Sequence, residues 1–520
     1  MKRPLLILSL SACATVTAIA TPSKPARAGD FVDTRVVFIA GDDDFMHAAG
    51  ETVPVSQDAD IGDRPGYTAF YDELESSESG RESRTTLVLH KKAAGYLPGV
   101  TTEAAVVLEM NHSRILAGDP RSIQDDGSYI RIESARTTGR FGIVLMPFRA
   151  DRLRLGHTWE ITWGGDRVFP STQPVPGLKL GWDAERWGVY GGAKTTRMPY
   201  TTADDDPRNG QLEAFWGLFG GLRVGREDAG FRLDLSAGYF DKGTNPNGAV
   251  RGEAVDSGGG TVRLAYIDGL PFTATNDTRL YTADPTLPWV SWKDVTATTR
   301  VWRGAVEATA VGQVLEDPER VGGTKIESGL AGAASADVRL GYTRLSGVGI
   351  YRDLGFVYFN GPGVVRRYQA MPEDLETSPE LTASFGIHRH LPDLHLTPGL
   401  QVGITQPAAA SNLVPSAGIH APGPLTGRRT VVYRRADIFD DNGLVSPMIL
   451  PDGEDVLPAF GARLSAELEL APGFAVTAQV TAMHDPNQAE LAQDLLQVND
   501  LREYTDALTL GAAVMARAEF

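Results

Sequence analysis

From Leu508 to its last residue, Phe520, the chain alternates without a break. Leu508, Leu510, Ala512, Val514, Ala516, Ala518 and Phe520 form one set, and Thr509, Gly511, Ala513, Met515, Arg517 and Glu519 form the other. A period of two belongs to an extended strand whose two faces meet different surroundings. The pattern recurs along the chain. In residues 153–163, Leu153, Leu155, Trp159, Ile161 and Trp163 oppose Arg154, Gly156, Thr158, Glu160 and Thr162. In residues 231–239, Phe231, Leu233, Leu235, Ala237 and Tyr239 oppose Arg232, Asp234, Ser236 and Gly238. The spacing predicts eighteen such strands, the first at 84–93, the fifth at 153–164 and the last at 508–520.

A one-sided surface sheet also alternates, so connection lengths must separate the alternatives. Counted back from Phe520, long and short connections take turns: 484–507 is long, 471–473 short, 407–459 very long, 391–395 short. The parity falters at 268–297 and again at 112–126. The Phe520 terminus on an apolar face, the strand pattern and the loop parity together resemble bacterial outer-membrane β-barrels, whose turns are short on the periplasmic side and long outside. The resemblance implies an all-β fold, a transmembrane antiparallel up-and-down β-barrel of about 16–18 strands. It also implies residence in the cell outer membrane, contact with its lipid and lipopolysaccharide, and recognition of Phe520 as an assembly signal by the barrel assembly machinery.

The N-terminus fits export. Lys2 and Arg3 precede an apolar run, and Ala26-Arg27-Ala28 offers a small-x-small cleavage site, so residues 1–28 read as a signal peptide. Leu10-Ser11-Ala12-Cys13 resembles a lipoprotein processing box and is the competing reading. Cys13 is the sole cysteine, so cleavage after Ala28 leaves no disulfide or thiolate chemistry. Removing Lys2, Arg3, Lys24 and Arg27 moves the formal charge from −17 to −21. Such an acidic chain is a poor nucleic-acid partner. The division expected is a signal peptide (1–28), an N-terminal periplasmic or lumen segment (29–83) and the barrel (84–520). Arg35 to Ala40 and Tyr67 to Tyr71 are possible extra strands. Ala489, Leu491, Leu495 and Leu496 recur at helical spacing after Asp485-Pro486, which predicts a helix over 487–501.

In a barrel of this size the charged faces point into water and set the field of the lumen. The register assigns Arg223, Arg232, Asp234, Arg263, Arg303, Glu307, Asp337, Arg339, Arg463, Glu467 and Arg517 to that lining. Mixed signs also fit cross-strand pairs that merely solvate the wall. A constriction requires a loop that folds inward, and 407–459 is the longest candidate. Asp42-Asp43-Asp44 and Asp204-Asp205-Asp206 lack the spacing of a calcium loop and read as solvated runs. His388, His390 and His395 cluster at a turn, which the blander reading explains without a metal. The aromatics Trp159, Trp163, Trp182, Trp187, Tyr239, Tyr266, Trp302, Tyr342, Tyr351, Tyr358 and Phe359 suit interfacial girdles. No nucleophile elbow, phosphate loop or dinucleotide fingerprint is present, so neither an enzyme nor a cofactor is expected.

The function expected is a porin-like channel for passive passage of small solutes, with assembly as a homo-oligomer left open. The alternatives are a non-transporting barrel acting as a surface adhesion or assembly scaffold, and a hydrophobic-substrate channel whose hatch is 29–83.

Overall fold

A computed structural model describes residues 33–42, 81–95, 97–112, 122–148, 153–164, 176–199, 211–226, 229–245, 249–268, 295–317, 319–359, 376–411, 429–432, 448–451, 453–491 except 452 and 488, 502–504 and 507–520, together with 45, 115, 118, 292 and 370. Among these, eighteen strands close a barrel. They are β1 (Asp33–Asp42), β2 (Arg81–Ala94), β3 (Val100–Asn111), β4 (Tyr129–Arg136), β5 (Gly139–Met146) and β6 (Gly177–Asp183). Next come β7 (Trp187–Pro199), β8 (Leu212–Gly225), β9 (Ala229–Thr244), β10 (Ala254–Asp268), β11 (Arg300–Glu316) and β12 (Thr324–Leu340). The series ends with β13 (Thr343–Arg352), β14 (Glu380–Arg389), β15 (Leu396–Gln406), β16 (Ala459–Ala471), β17 (Phe474–His484) and β18 (Leu508–Glu519).

Each strand pairs antiparallel with its sequence neighbours, and β1 closes the ring on β18 with Arg35 opposite Glu519 and Asp42 opposite Ala512. The seam continues to the terminus, where Phe520 N–H donates to Thr34 O at 2.9 Å and Thr34 N–H to Phe520 O at 3.2 Å. Closure pairs every ladder and leaves no free edge.

The boundary expected at residue 84 therefore moves, since Asp33–Asp42 is wall rather than an N-terminal segment. The possible extra strand at Arg35 to Ala40 lies within it, but its pattern did not mark it as wall: Val37 and Ile39 face the lumen and pack on Met515, while Val36 and Phe38 face outward, so both faces are apolar. Conversely, residues 153–164 are not a wall strand. Strand β5 joins β6 directly through Phe141 opposite Trp182, and the segment between them lies inside the barrel. One strand lost and one gained leaves the count at eighteen. The exchange also reverses β2–β5 and so moves 112–128 to the long-loop end, which removes one of the two faults in parity.

Connections at the loop end have seven or more residues. Those at the turn end have six or fewer, except 269–299. At the loop end, Thr377–Ser378, Ala408–Ser411, Arg429–Val432 and Met448–Ile449 make a small separate sheet. The helix expected over 487–501 is not found where the chain is described, because Ala489–Leu491 pairs with Arg502–Tyr504 as strand. Its apolar spacing suits a hairpin edge as well as a helical face. One short helix, α1 (Leu354–Phe359), is held by Asp353, whose carboxylate accepts Phe356 N–H at 2.6 Å and Leu330 N–H at 2.8 Å. Burial raises the Asp353 pKa despite these bonds. Residues 1–28 with Cys13, the hatch segment 43–80 save 45, and Asp204 to Asp206 lie outside the described residues.

Candidate functional site: the lumen wall and an inward loop

Strand β11 shows how the wall is made. Trp302 and Val306 point outward and are about half exposed or more, while Glu307 and Thr309 are buried on the inner face. The same division runs round the ring, with Leu89, Ile130, Leu235, Phe385 and Val514 on the outer face. Only lipid covers such a belt, and a polar inner face completes a membrane-spanning barrel. Near the turn end, Phe231, Tyr266 and Trp302 stack across three strands with ring centroids 4.9 and 4.6 Å apart. Tyr239 lies eight residues up β9 from Phe231. At about 3.3 Å per residue and a tilt near 40°, that is roughly 20 Å of height, the scale of an apolar membrane band.

The eleven charged residues assigned to the lumen all lie on the face opposite this belt. Most are paired. Arg223 meets Asp183 at 3.1 Å, Arg232 meets Asp234 at 2.7 Å, Arg303 meets Asp337 at 3.2 Å and Arg517 meets Glu467 at 3.2 Å. Arg344 also bonds Asp337. Arg463 stands opposite Gln401 and Thr481 in the ladders of β15 and β17. Arg339 lies beside Asp337 on β12. His388 and His390 are both buried, and His390 Nδ1 is 3.0 Å from Thr397 Oγ1. Among the described residues, no group of three or more His, Cys, Asp or Glu could hold a metal ion.

The lumen contains a feature that the sequence did not announce. Residues 153–164 form a tight hairpin turned inward. Leu155 and Trp163 exchange backbone bonds of 2.7 and 2.9 Å around a 3-10 turn, Trp159–Ile161. Its apolar side chains Leu153, Leu155, Ile161 and Trp163 are completely or nearly buried. They form one cluster with Val88, Val107 and Tyr129 on β2–β4 and with Phe219, Phe240, Val311 and Ala331 on β8–β12. The hairpin thus spans between two arcs of wall. Trp163 meets Phe240 edge-on, with centroids 4.8 Å apart. Phe356 of α1 joins the same cluster. Trp163, listed above as a girdle candidate, is therefore a lumen residue.

Polar bonds fix the hairpin at both ends. At its base, Lys194 donates from Nζ to Leu153 O at 3.1 Å and also to Gly164 O. The lysine is 2% exposed, so its charge is neutralised by carbonyl dipoles rather than water. At the tip, one Glu307 oxygen accepts His157 N–H at 2.7 Å. The other accepts Thr158 N–H at 2.9 Å and Thr158 Oγ1–H at 2.8 Å. A carboxylate that accepts three bonds is a strong anchor. It requires Gly156, whose φ is +95 and where a Cβ would sit 2.8 Å from Glu307 Oε1. Gly164, φ +82, likewise makes room for Phe240, which a Cβ would approach to 2.7 Å. His157 Nε2 lies 3.6 Å from Asp234 Oδ2. Burial, then Arg263, Arg232 and Lys179, hold that imidazole well below its ordinary pKa.

Glu307 was legible as a lumen residue, but its partner is 150 positions away and was not. Lys194 was missed altogether. The available signals were the glycines bracketing 156–164 and the broken parity at 112–126. Of the longest loop, 407–459, the described residues Ala408–Ser411, Arg429–Val432 and Met448–Ile449 belong to the small sheet at the loop end.

No family model matches the sequence, and no characterised protein does. Solved structures similar in outline include three Pseudomonas proteins. OccK3 (OpdO) of Pseudomonas aeruginosa is 8% identical, with 95% of this chain on 96% of that one and a TM-score of 0.42. The outer membrane protein OpdK of the same species is 8% identical, covering 95% and 99%, at 0.41. A BenF-like porin from Pseudomonas fluorescens Pf-5 is 7% identical, covering 94% and 98%, at 0.42. At these values no residue of this chain takes a role from any of them.

Proposed function

We propose that the chain is an outer-membrane channel for passive passage of small hydrophilic solutes. The observation that carries this reading is the eighteen-strand closed wall with an apolar outer belt and a polar, charged inner face. Wall side chains alone cannot fill a lumen of that size, and an inner face of ion pairs is built for water. On this reading the turn end faces the periplasm and the loop end faces outward. Residues 1–28 direct export, and Phe520, 81% exposed beside the closing seam, is offered to the assembly machinery.

The hairpin 153–164 is the constriction, with Glu307 and Lys194 as its two anchors. Because Arg223, Arg232, Arg303 and Arg517 each face a carboxylate, their fields largely cancel at a distance. Weak ion preference follows. The test is conductance of refolded, heat-modifiable protein in planar bilayers, with reversal potentials in a salt gradient. Discrete channels with a small reversal potential support the reading. A correctly folded barrel that gives no channels removes it in favour of a surface scaffold.

A further inference from the structure

The second parity fault has a structural counterpart. Connections at the turn end are two to six residues long, but 269–299 spans thirty-one. Its described end is ordered against the wall. Thr296 N–H donates to Thr299 Oγ1 at 2.9 Å, Val295 N–H to Trp292 O at 3.0 Å, and Gly341 N–H to Thr299 O at 2.7 Å. These bonds seat residues 295–299 on the β12–β13 turn and bring Trp292 to the mouth.

Among the described residues, the Trp292 ring has two partners, both on the inner side. The guanidinium carbon of Arg339 lies 4.8 Å from the ring centroid. The His390 ring is stacked 5.3 Å away at an interplanar angle of 5°. Arg339 belongs to β12, and His390 follows β14, so the indole lies over the inner face where β13 passes between them. His390 is itself fixed: its N–H donates to Tyr342 O at 2.8 Å, and Tyr342 stands 6.1 Å away ring to ring. Arg339 is flanked by Asp337 and by Arg344. A flat apolar ring clamped by a guanidinium and an imidazole is held at little entropic cost, because each partner is already positioned.

We infer that Trp292 is a specificity-determining residue: it forms a second filter, at the periplasmic mouth, in series with the hairpin 153–164. This rests on the channel reading. The hairpin limits what passes from the loop end, and the indole limits what is admitted from the turn end. Two narrowings at different heights give each mouth its own size cutoff.

The experiment uses the full-length refolded protein in planar bilayers, with neutral polyethylene glycols of graded size added to one side at a time. Polymers that enter lower the conductance, so each side yields its own size cutoff. Trp292→Ala is expected to shift the periplasmic cutoff upward and leave the outer cutoff where it was. Trp292→Phe, which keeps a ring for Arg339 and His390, should retain the wild-type cutoffs. Arg339→Gln should move the periplasmic cutoff in the same direction as Trp292→Ala, though less. Unchanged cutoffs in a folded Trp292→Ala barrel overturn the inference, as does a shift of both cutoffs together, which would mean general loosening. A wild-type protein without channels fails earlier and sinks the channel reading itself.

Discussion

Residues 153–163 and 231–239 carry the same alternation and have opposite fates. In the second segment, part of β9, Leu235 is laddered to Leu222 on one side and Val262 on the other, and its side chain lies on the exposed outer belt. The first segment bonds mainly to itself, and Leu155, Ile161 and Trp163 are sealed against the lumen wall. Alternation therefore reports that two faces differ. It does not say what lies beyond each face, nor whether a neighbour supplies hydrogen bonds.

The largest effect should come from putting a charge on each apolar face. Leu235→Arg places a guanidinium mid-height in lipid and should destabilise the barrel by roughly 2–4 kcal/mol, read from denaturant unfolding in vesicles. Leu155→Arg should cost the barrel much less, because the hairpin can leave its seat. Equal losses would erase the distinction between the segments.

Next in size is Glu307→Ala, which removes the acceptor for His157 and Thr158. We expect local release costing about 2 kcal/mol, given the strength of bonds to charged groups. Proteolysis within 153–164 and a rise in single-channel conductance would report it, with Glu307→Gln intermediate. Gly156→Ala strains a backbone at φ +95 and sets a Cβ 2.8 Å from Glu307 Oε1, so it should cost about 2 kcal/mol, comparable to losing the Glu307 anchor itself. Differential scanning calorimetry should register it as a drop in Tm. Smallest is Lys194→Met, which keeps the stem packed and loses two donated bonds, for about 1.5 kcal/mol and a smaller gain in conductance. An unaltered conductance in both the Glu307 and the Lys194 variants would show that the hairpin is not the constriction.

Most of the wall was legible because a lipid-facing belt and a wet lumen impose unlike chemistry on alternate residues. Arg303 and Glu307 against Trp302 and Val306 is the plain case. Legibility failed where that contrast vanishes. Strand β1 is apolar on both faces around Val37 and Phe38, so the sequence offers Arg35 to Ala40 as a strand without placing it in the wall, and its pairing with β18 does that. The hairpin failed the other way, since an apolar face pressed on a lumen cluster looks like one pressed on lipid. Long-range anchors such as Glu307 to His157 leave no local trace. Chain order does not encode which arcs of wall face each other.

The seam between β1 and β18 sets a constraint in time. Every other ladder of the wall joins strands adjacent in the chain, so its hairpins can form locally. The seam joins Arg35 to Glu519, paired at 3.0 Å, and closes only when the first and last wall strands meet. Until then two bare strand edges persist, the state most prone to wrong partners. The closing step also carries the greatest loop-closure entropy of any ladder in the molecule. Loss of β18 would therefore cost more than the contacts deleted: it would leave a sheet with two permanent edges in place of a barrel.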